Sequence, residues 1–447
     1  MTRMLFFELI QVALGNREEL SRVPTAKEWS DLYEESGRQA ITGVMVAGLE
    51  KLKANTNGTN YTNKLPLELL LQWIGASEQI RLRNVTLTKR CVQLQRKLKE
   101  LGHESSILKG QGVAMLYDRD KEDGLGMLRQ SGDIDIFVDG GFERALKFAH
   151  DCGQKDVNWD YKHLHLKVFP DTEVEVHYRV EVLMNLWKNR KLQKWFEEQT
   201  EEIFGHTDLA DLTDSDIGRY AQNINKNDIK NSTGTTDITD NTENDSTTNF
   251  TNDTNNCSAE IKEKAEMVTP TVEFNVFYIL LHIYRHFLYE GVGMRQIMDY
   301  YFVLRMVQEF KGLRVKDYVD AVDEFGMTKF AKGLMWVMQK ALGMPREWML
   351  WEPDAKEGQY ILDEVMAGGN FGHHDQRLKH GGGKWNTVKQ VCRHNWHLMS
   401  HYPSDVIWAP VWFVWHKCWK MAHRVCQGTG SDTAGIPITK KQVFVMR

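Results

Sequence analysis

Along residues 6–102 apolar positions recur at spacings of three and four, most regularly between 67 and 101, and this predicts an N-terminal helical region. The pattern changes at Ser105. Ser106-Ile107-Leu108 leads into Lys109-Gly110-Gln111-Gly112, a short helical stretch follows at 113–117, and Gly132-Asp133-Ile134-Asp135-Ile136-Phe137-Val138 then alternates strictly between polar and apolar. Two further alternating runs, 163–169 and 172–178, are joined at Pro170-Asp171, good turn chemistry for a hairpin. Residues 103–180 therefore read as a small mixed sheet domain. Helical periodicity returns at 272–344, and a segment rich in Gly and His, 368–383, separates it from the C-terminal stretch.

Two stretches depart from a globular texture. Residues 223–258 consist almost entirely of Asn, Thr, Asp, Ser and Lys, too few apolar side chains to offset the entropy of ordering them, and are expected to form a disordered insertion. The Asn-x-Ser/Thr triplets there read as incidental to that composition. The tail carries Val406-Ile407-Trp408-Ala409-Pro410-Val411-Trp412-Phe413-Val414-Trp415, short of the roughly 20 apolar residues that cross a bilayer and broken by Pro410. It is expected to pack into the core rather than rest on a membrane or partner.

Composition narrows the class. With 447 residues, 42% of them hydrophobic, the chain can bury a large core, and a net charge of -5 provides no global attraction to nucleic acid or anionic lipid. The six cysteines, Cys91, Cys152, Cys257, Cys392, Cys418 and Cys426, form neither a CxxC pair nor a zinc-ligand spacing and read as reduced thiols. Glu8 and Gln11 interrupt the N-terminal apolar run as a secretory signal would not tolerate, so the expected location is the cytoplasm.

The chemistry centres on Asp133 and Asp135. A strand period of two places both carboxylates on one face, where they repel, and a divalent cation relieves that repulsion; magnesium favours one or two carboxylates plus water and phosphate oxygens, and manganese can substitute. Lys109, with Gly110 and Gly112 at a strand-to-helix junction, could bring a positive charge and backbone N–H groups to a phosphate, and Arg129 could approach the same polyphosphate. Glu173, Glu175 and His177 share one strand face, which offers a third carboxylate if that strand lies beside Asp135.

These motifs resemble the polymerase-β nucleotidyltransferase superfamily, whose pattern is a glycine turn, Asp-hydrophobic-Asp, and a later acidic residue. Ile107-Leu108-Lys109-Gly110-Gln111-Gly112, the run from Leu128 to Val138 and Val174-Glu175-Val176-His177 look like an uncharacterised bacterial nucleotidyltransferase group often encoded beside polysaccharide genes, as do Leu281-His-Ile-Tyr-Arg-His286 and Met294-Arg-Gln-Ile-Met-Asp299. Gln111 stands where the broader superfamily favours Ser or Gly. That departure shifts phosphate binding from a hydroxyl toward Lys109, Arg129 and backbone amides.

The resemblance implies an α+β fold: N-terminal helices (1–102), a nucleotidyltransferase core (103–222), the polar insertion (223–258) and a C-terminal helical region with its aromatic tail (259–447). It also implies magnesium held by Asp133, Asp135 and Glu175, an NTP bound at Lys109, Gly110, Gln111, Gly112 and Arg129, and an acceptor hydroxyl or phosphate on a small molecule, saccharide or macromolecule, nucleic acid included. His177 could orient Glu175 or be structural, and His282, His286, Arg295 and Asp299 could turn toward the substrate cleft. His373, His374 and His380 read as a surface loop rather than a metal tract. Two other readings stay open: a catalytically silent nucleotide-binding regulator, and a toxin-like transferase acting on RNA or protein.

Overall fold

The computed structural model describes residues 2–55, 65–117, 124–154, 157–205, 267–310, 313–372 and 398–426. The insertion at 223–258 and the histidines His373, His374 and His380 lie outside these residues. The chain opens with helices α1 (Thr2–Ala13), α2 (Ala26–Arg38), α3 (Thr42–Asn55) and α4 (Leu67–Glu100). Helix α2 begins at a capping box in which Thr25 accepts from the Glu28 amide and the Glu28 carboxylate accepts from the Thr25 amide.

Next come β1 (Ser105–Ile107), α5 (Gln111–Tyr117), β2 (Ile134–Val138), α6 (Gly141–Asp151), β3 (Asn158–Trp159), β4 (His163–Leu166) and β5 (Val174–His177). The strands form one mixed sheet in the order β1-β2-β5-β4-β3, with β2 and β5 parallel and the other pairs antiparallel. The fold is therefore α+β, a small mixed sheet flanked by helices, as the pattern predicts. Beyond α7 (Leu186–Glu198) and the single turn α8 (Thr200–Ile203), the chain continues in α9 (Val272–Tyr289), α10 (Met294–Glu309), α11 (Lys316–Glu324), α12 (Thr328–Val337), α13 (Ala355–Gly368) and α14 (Pro403–Cys426).

Alternation divides the sheet into two faces. Ile134, Ile136, Val138, Val174, Val176, Leu164 and Leu166 are buried in one cluster with Leu87, Cys91, Val92 and Leu98 of α4 and Phe148 of α6. Each such aliphatic side chain contributes about 1.5–3 kcal/mol by leaving water. The opposite face carries Asp135, Glu175, His177, His163 and His165 and looks toward α9, α10 and α14. Those helices share a second, larger cluster with α1 to α3, so residues from the two ends of the chain build one core.

The edge of β1 is closed by Val268. Its carbonyl accepts from Ile107 N, and both its peptide N–H and C=O bond to the Gln95 amide. Helix α14 runs through Pro410 instead of stopping there; the proline sits on the exposed side, where solvent can satisfy the carbonyl left without its N–H donor. Trp412 is buried, and Tyr161 makes edge contacts with Trp412, Trp415 and Trp419, which fulfils the packing expectation for this face. Ile407, Val411 and Val414 on the other face stay exposed. Among the described residues no helix is long and apolar enough to cross a membrane.

Candidate active site

The parallel pairing of β2 with β5 sets Asp135 opposite Glu175, and the antiparallel pairing of β5 with β4 sets Glu175 opposite His165. A single row thus crosses the sheet, with Asp133 one alternation before it and His177 and His163 one after. Carboxylate oxygens of Asp133, Asp135 and Glu175 all lie within 4.8 Å of one another. Such a donor set suits a hard divalent cation, which is the group that the carboxylate pattern implies.

Lys109 Nζ lies 3.0 Å from Asp135 Oδ1, and His177 Nε2 hydrogen-bonds the same oxygen at 3.0 Å. Burial would raise the pKa of Asp135, but the Lys109 charge and the His177 hydrogen bond outweigh it and hold the group below the ordinary carboxylate range. Burial also opposes ionisation of Glu175, which the neighbouring His163, His177 and Lys109 nevertheless hold well below its ordinary value. Asp133 takes the remaining strain: burial, then the charges of Asp135 and Glu175, push it up to about 6. Lys109 is itself raised, because Asp135, Asp133 and Glu175 together exceed the penalty of its burial.

These groups line a cavity of about 360 Å³ between the sheet and helices α9, α10 and α14. Gly110 also lines it, with φ at 62°, a left-handed turn that glycine adopts without cost. Gln111 and Gly112 do not line it, contrary to the expectation for the turn. Gln111 Nε2 donates to the Asn84 carbonyl on α4, and a Cβ on Gly112 would meet the Ile107 carbonyl at 2.4 Å, so that glycine permits close packing on β1. Arg129 reaches the cavity, but its guanidinium is bound to both oxygens of Asp299 at 2.6 and 2.8 Å, and Tyr117 Oη donates to the same carboxylate. Both members of this pair are buried, which turns two expected substrate contacts into a structural ion pair.

The helical wall holds a second buried network. Glu181, with no exposure, is met by Lys162 Nζ at 3.2 Å, Arg285 Nε at 3.0 Å and His282 Nδ1 at 3.0 Å. Glu290 takes His286 Nδ1 at 2.6 Å and Arg285 Nη1 at 3.2 Å. His282 therefore lines the cavity with Nδ1 already engaged and His286 with Nδ1 on Glu290 and Nε2 3.4 Å from Arg285 Nη2, while His177 lies beneath Asp135 and does not line it. Arg295 is different. Its Nη1 donates to the Gln130 carbonyl at 2.7 Å, its Nε has no hydrogen-bond acceptor, and among the described residues no carboxylate lies within ion-pair distance. Burial, followed by the adjacent Arg129 charge, lowers its pKa to about 10, leaving a guanidinium that an anion would stabilise.

Sequence reasoning missed Asp160, Lys162, His163, His165, Glu181, Arg285 and Glu290, all within this polar assembly. The alternation of His163 with His165 was a usable signal for two of them.

Residues 25–217 match the family model described as an uncharacterised nucleotidyltransferase. The match takes in Lys109, Asp133, Asp135 and Glu175 and supports nucleotidyl transfer as the general activity. No curated protein and no solved structure matches the chain.

Proposed function

We propose that this protein transfers a nucleoside monophosphate from an NTP to an acceptor hydroxyl or phosphate, with a saccharide as the first acceptor class to test. The observation that carries the reading is the convergence of Asp133, Asp135 and Glu175 within 4.8 Å in a cavity that also holds Lys109 and Arg295, which meets no carboxylate among the described residues. Asp133, Asp135 and Glu175 would hold magnesium, which when bound supplies charge neutralisation on the triphosphate and acidifies the acceptor.

The chain's own residues do the rest. His177 holds the Asp135 carboxylate from below, fixing its orientation without facing the cavity. Lys109, with Nζ 3.0 Å from Asp135 Oδ1 at the cavity wall, would place its charge against the triphosphate. Arg295 binds the polyphosphate from the opposite wall, the role that the sequence pattern suggests for Arg129. Glu175 completes the metal site or takes the acceptor proton, as the acceptor oxygen bonds to the α-phosphorus and the bond to pyrophosphate breaks.

The test incubates the full-length protein with each labelled NTP, magnesium and a cell extract, then identifies the labelled product. Magnesium-dependent labelling with pyrophosphate release is expected. Nucleotide binding without turnover under every condition would instead favour a silent regulatory protein, and label on RNA or protein would favour the toxin-like reading.

A further inference from the structure

Beside the carboxylate trio stands a second set of donors with different chemistry. His163 Nε2 lies 3.2 Å from His165 Nε2 and 3.4 Å from Asp160 Oδ2, and one donor atom from each of the three residues falls within 4.8 Å of the others. From this geometry we infer that Asp160, His163 and His165 form a binding site for one divalent transition-metal ion, separate from the magnesium site.

Three features support it. Bonds of about 2.0–2.1 Å in tetrahedral coordination put neighbouring ligand atoms about 3.3 Å apart, close to the 3.2 and 3.4 Å that separate His163 Nε2 from His165 and Asp160. His165 also has a suitable outer neighbour, since its Nδ1 lies 3.0 Å from Glu173 Oε1. That carboxylate keeps the His165 proton on Nδ1 and leaves its Nε2 lone pair directed at His163 Nε2, 3.2 Å away, a lone pair that a cation can accept in place of the hydrogen bond between the rings. Finally, Asp160 Oδ1 accepts from the backbone amides of Lys162 and His163, which leaves Oδ2 for the site.

Two imidazoles and one carboxylate select zinc-class ions over magnesium. All three residues line the cavity, so water or a substrate oxygen would complete the coordination. This inference stands whether or not the carboxylate trio transfers nucleotides.

The test uses tag-free full-length protein, stripped of metal and titrated with Co²⁺ in excess Mg²⁺, reading visible ligand-field absorption. One equivalent of Co²⁺, displaced by Zn²⁺, is expected. His165→Gln and Asp160→Asn should each weaken it by at least about 100-fold, while Asp133→Asn leaves it unchanged; thermal melting confirms that each variant is folded. Asp160 is 35% exposed on its side chain, so its variant serves should the histidine variant not fold. Absence of stoichiometric Co²⁺ binding, or unchanged binding in the folded variants, overturns the inference. So does an equal loss in Asp133→Asn, which would put the ion among the carboxylates.

Discussion

The two walls of the cavity handle buried charge in opposite ways. On the helical side Arg129 is matched to Asp299, and Glu181 and Glu290 are matched to Lys162, Arg285, His282 and His286 at 2.6 to 3.2 Å. On the sheet side three carboxylates share the Lys109 ammonium and the His177 imidazole, and Asp133 is pushed up to about 6 as a result. Matched charges hold a structure together. Mismatched ones, kept in place by strands that cannot move apart, mark where a ligand's charge is missing.

The comparison breaks first if the helical pairs prove dispensable. Arg129→Ala should cost about 3–5 kcal/mol by leaving Asp299 buried and unpaired, whereas Arg129→Met with Asp299→Leu should be far milder; urea melts of the single and double variants measure this. Equal losses would deny the pair its structural role. On the sheet side Glu175→Gln should lower nucleotidyl transfer by about 10²-fold or more in a protein that still folds, at a lower melting temperature because the folded state favours the Glu175 charge. A parent-like rate would remove Glu175 from the trio.

Lys109→Ala should raise the apparent Kd for Mg-NTP by roughly tenfold, about 1.4 kcal/mol, with folding retained; calorimetric titration checks it. Unchanged affinity would confine Lys109 to balancing Asp135.

The smallest effect tests the mismatch itself. Because Asp133 moves from 3.8 to about 6 on folding, the folded chain holds a proton that the unfolded chain has released. Its stabilising contribution is full below 3.8 and is lost as pH rises through about 6. In metal-free buffer at alkaline pH, Asp133→Asn should therefore raise stability by about 1 kcal/mol, roughly 1 °C in Tm, and the gain should vanish in acid. A loss at alkaline pH, or a gain that persists in acid, would mean that the carboxylates are not under repulsion.

Legibility in the sequence follows the same division. The carboxylates of β2 and β5 could be read because a period of two is local, and Asp133, Asp135 and Glu175 each declare a face within a few residues. That Glu175 lies beside Asp135 depended on the non-sequential order β1-β2-β5-β4-β3, which no local pattern specifies. The helical wall was opaque for a related reason: Arg129 and Asp299 are 170 positions apart and Glu181 and His282 are 101 apart. Seen singly, Arg129 and Asp299 resemble substrate contacts; only the tertiary fold brings them together. Gln111 was misread similarly, since its partner Asn84 lies on a helix that precedes the motif.

The most direct test of the central claim is magnesium-dependent pyrophosphate release from NTP, with acceptor-containing extract, by the parent protein and by Asp133→Asn and Asp135→Asn. If these carboxylates hold the ion, each variant loses several kcal/mol of transition-state stabilisation, a fall of about 10³-fold or more, in a protein that still folds. Pyrophosphate release at the parent rate by either folded variant would contradict the account.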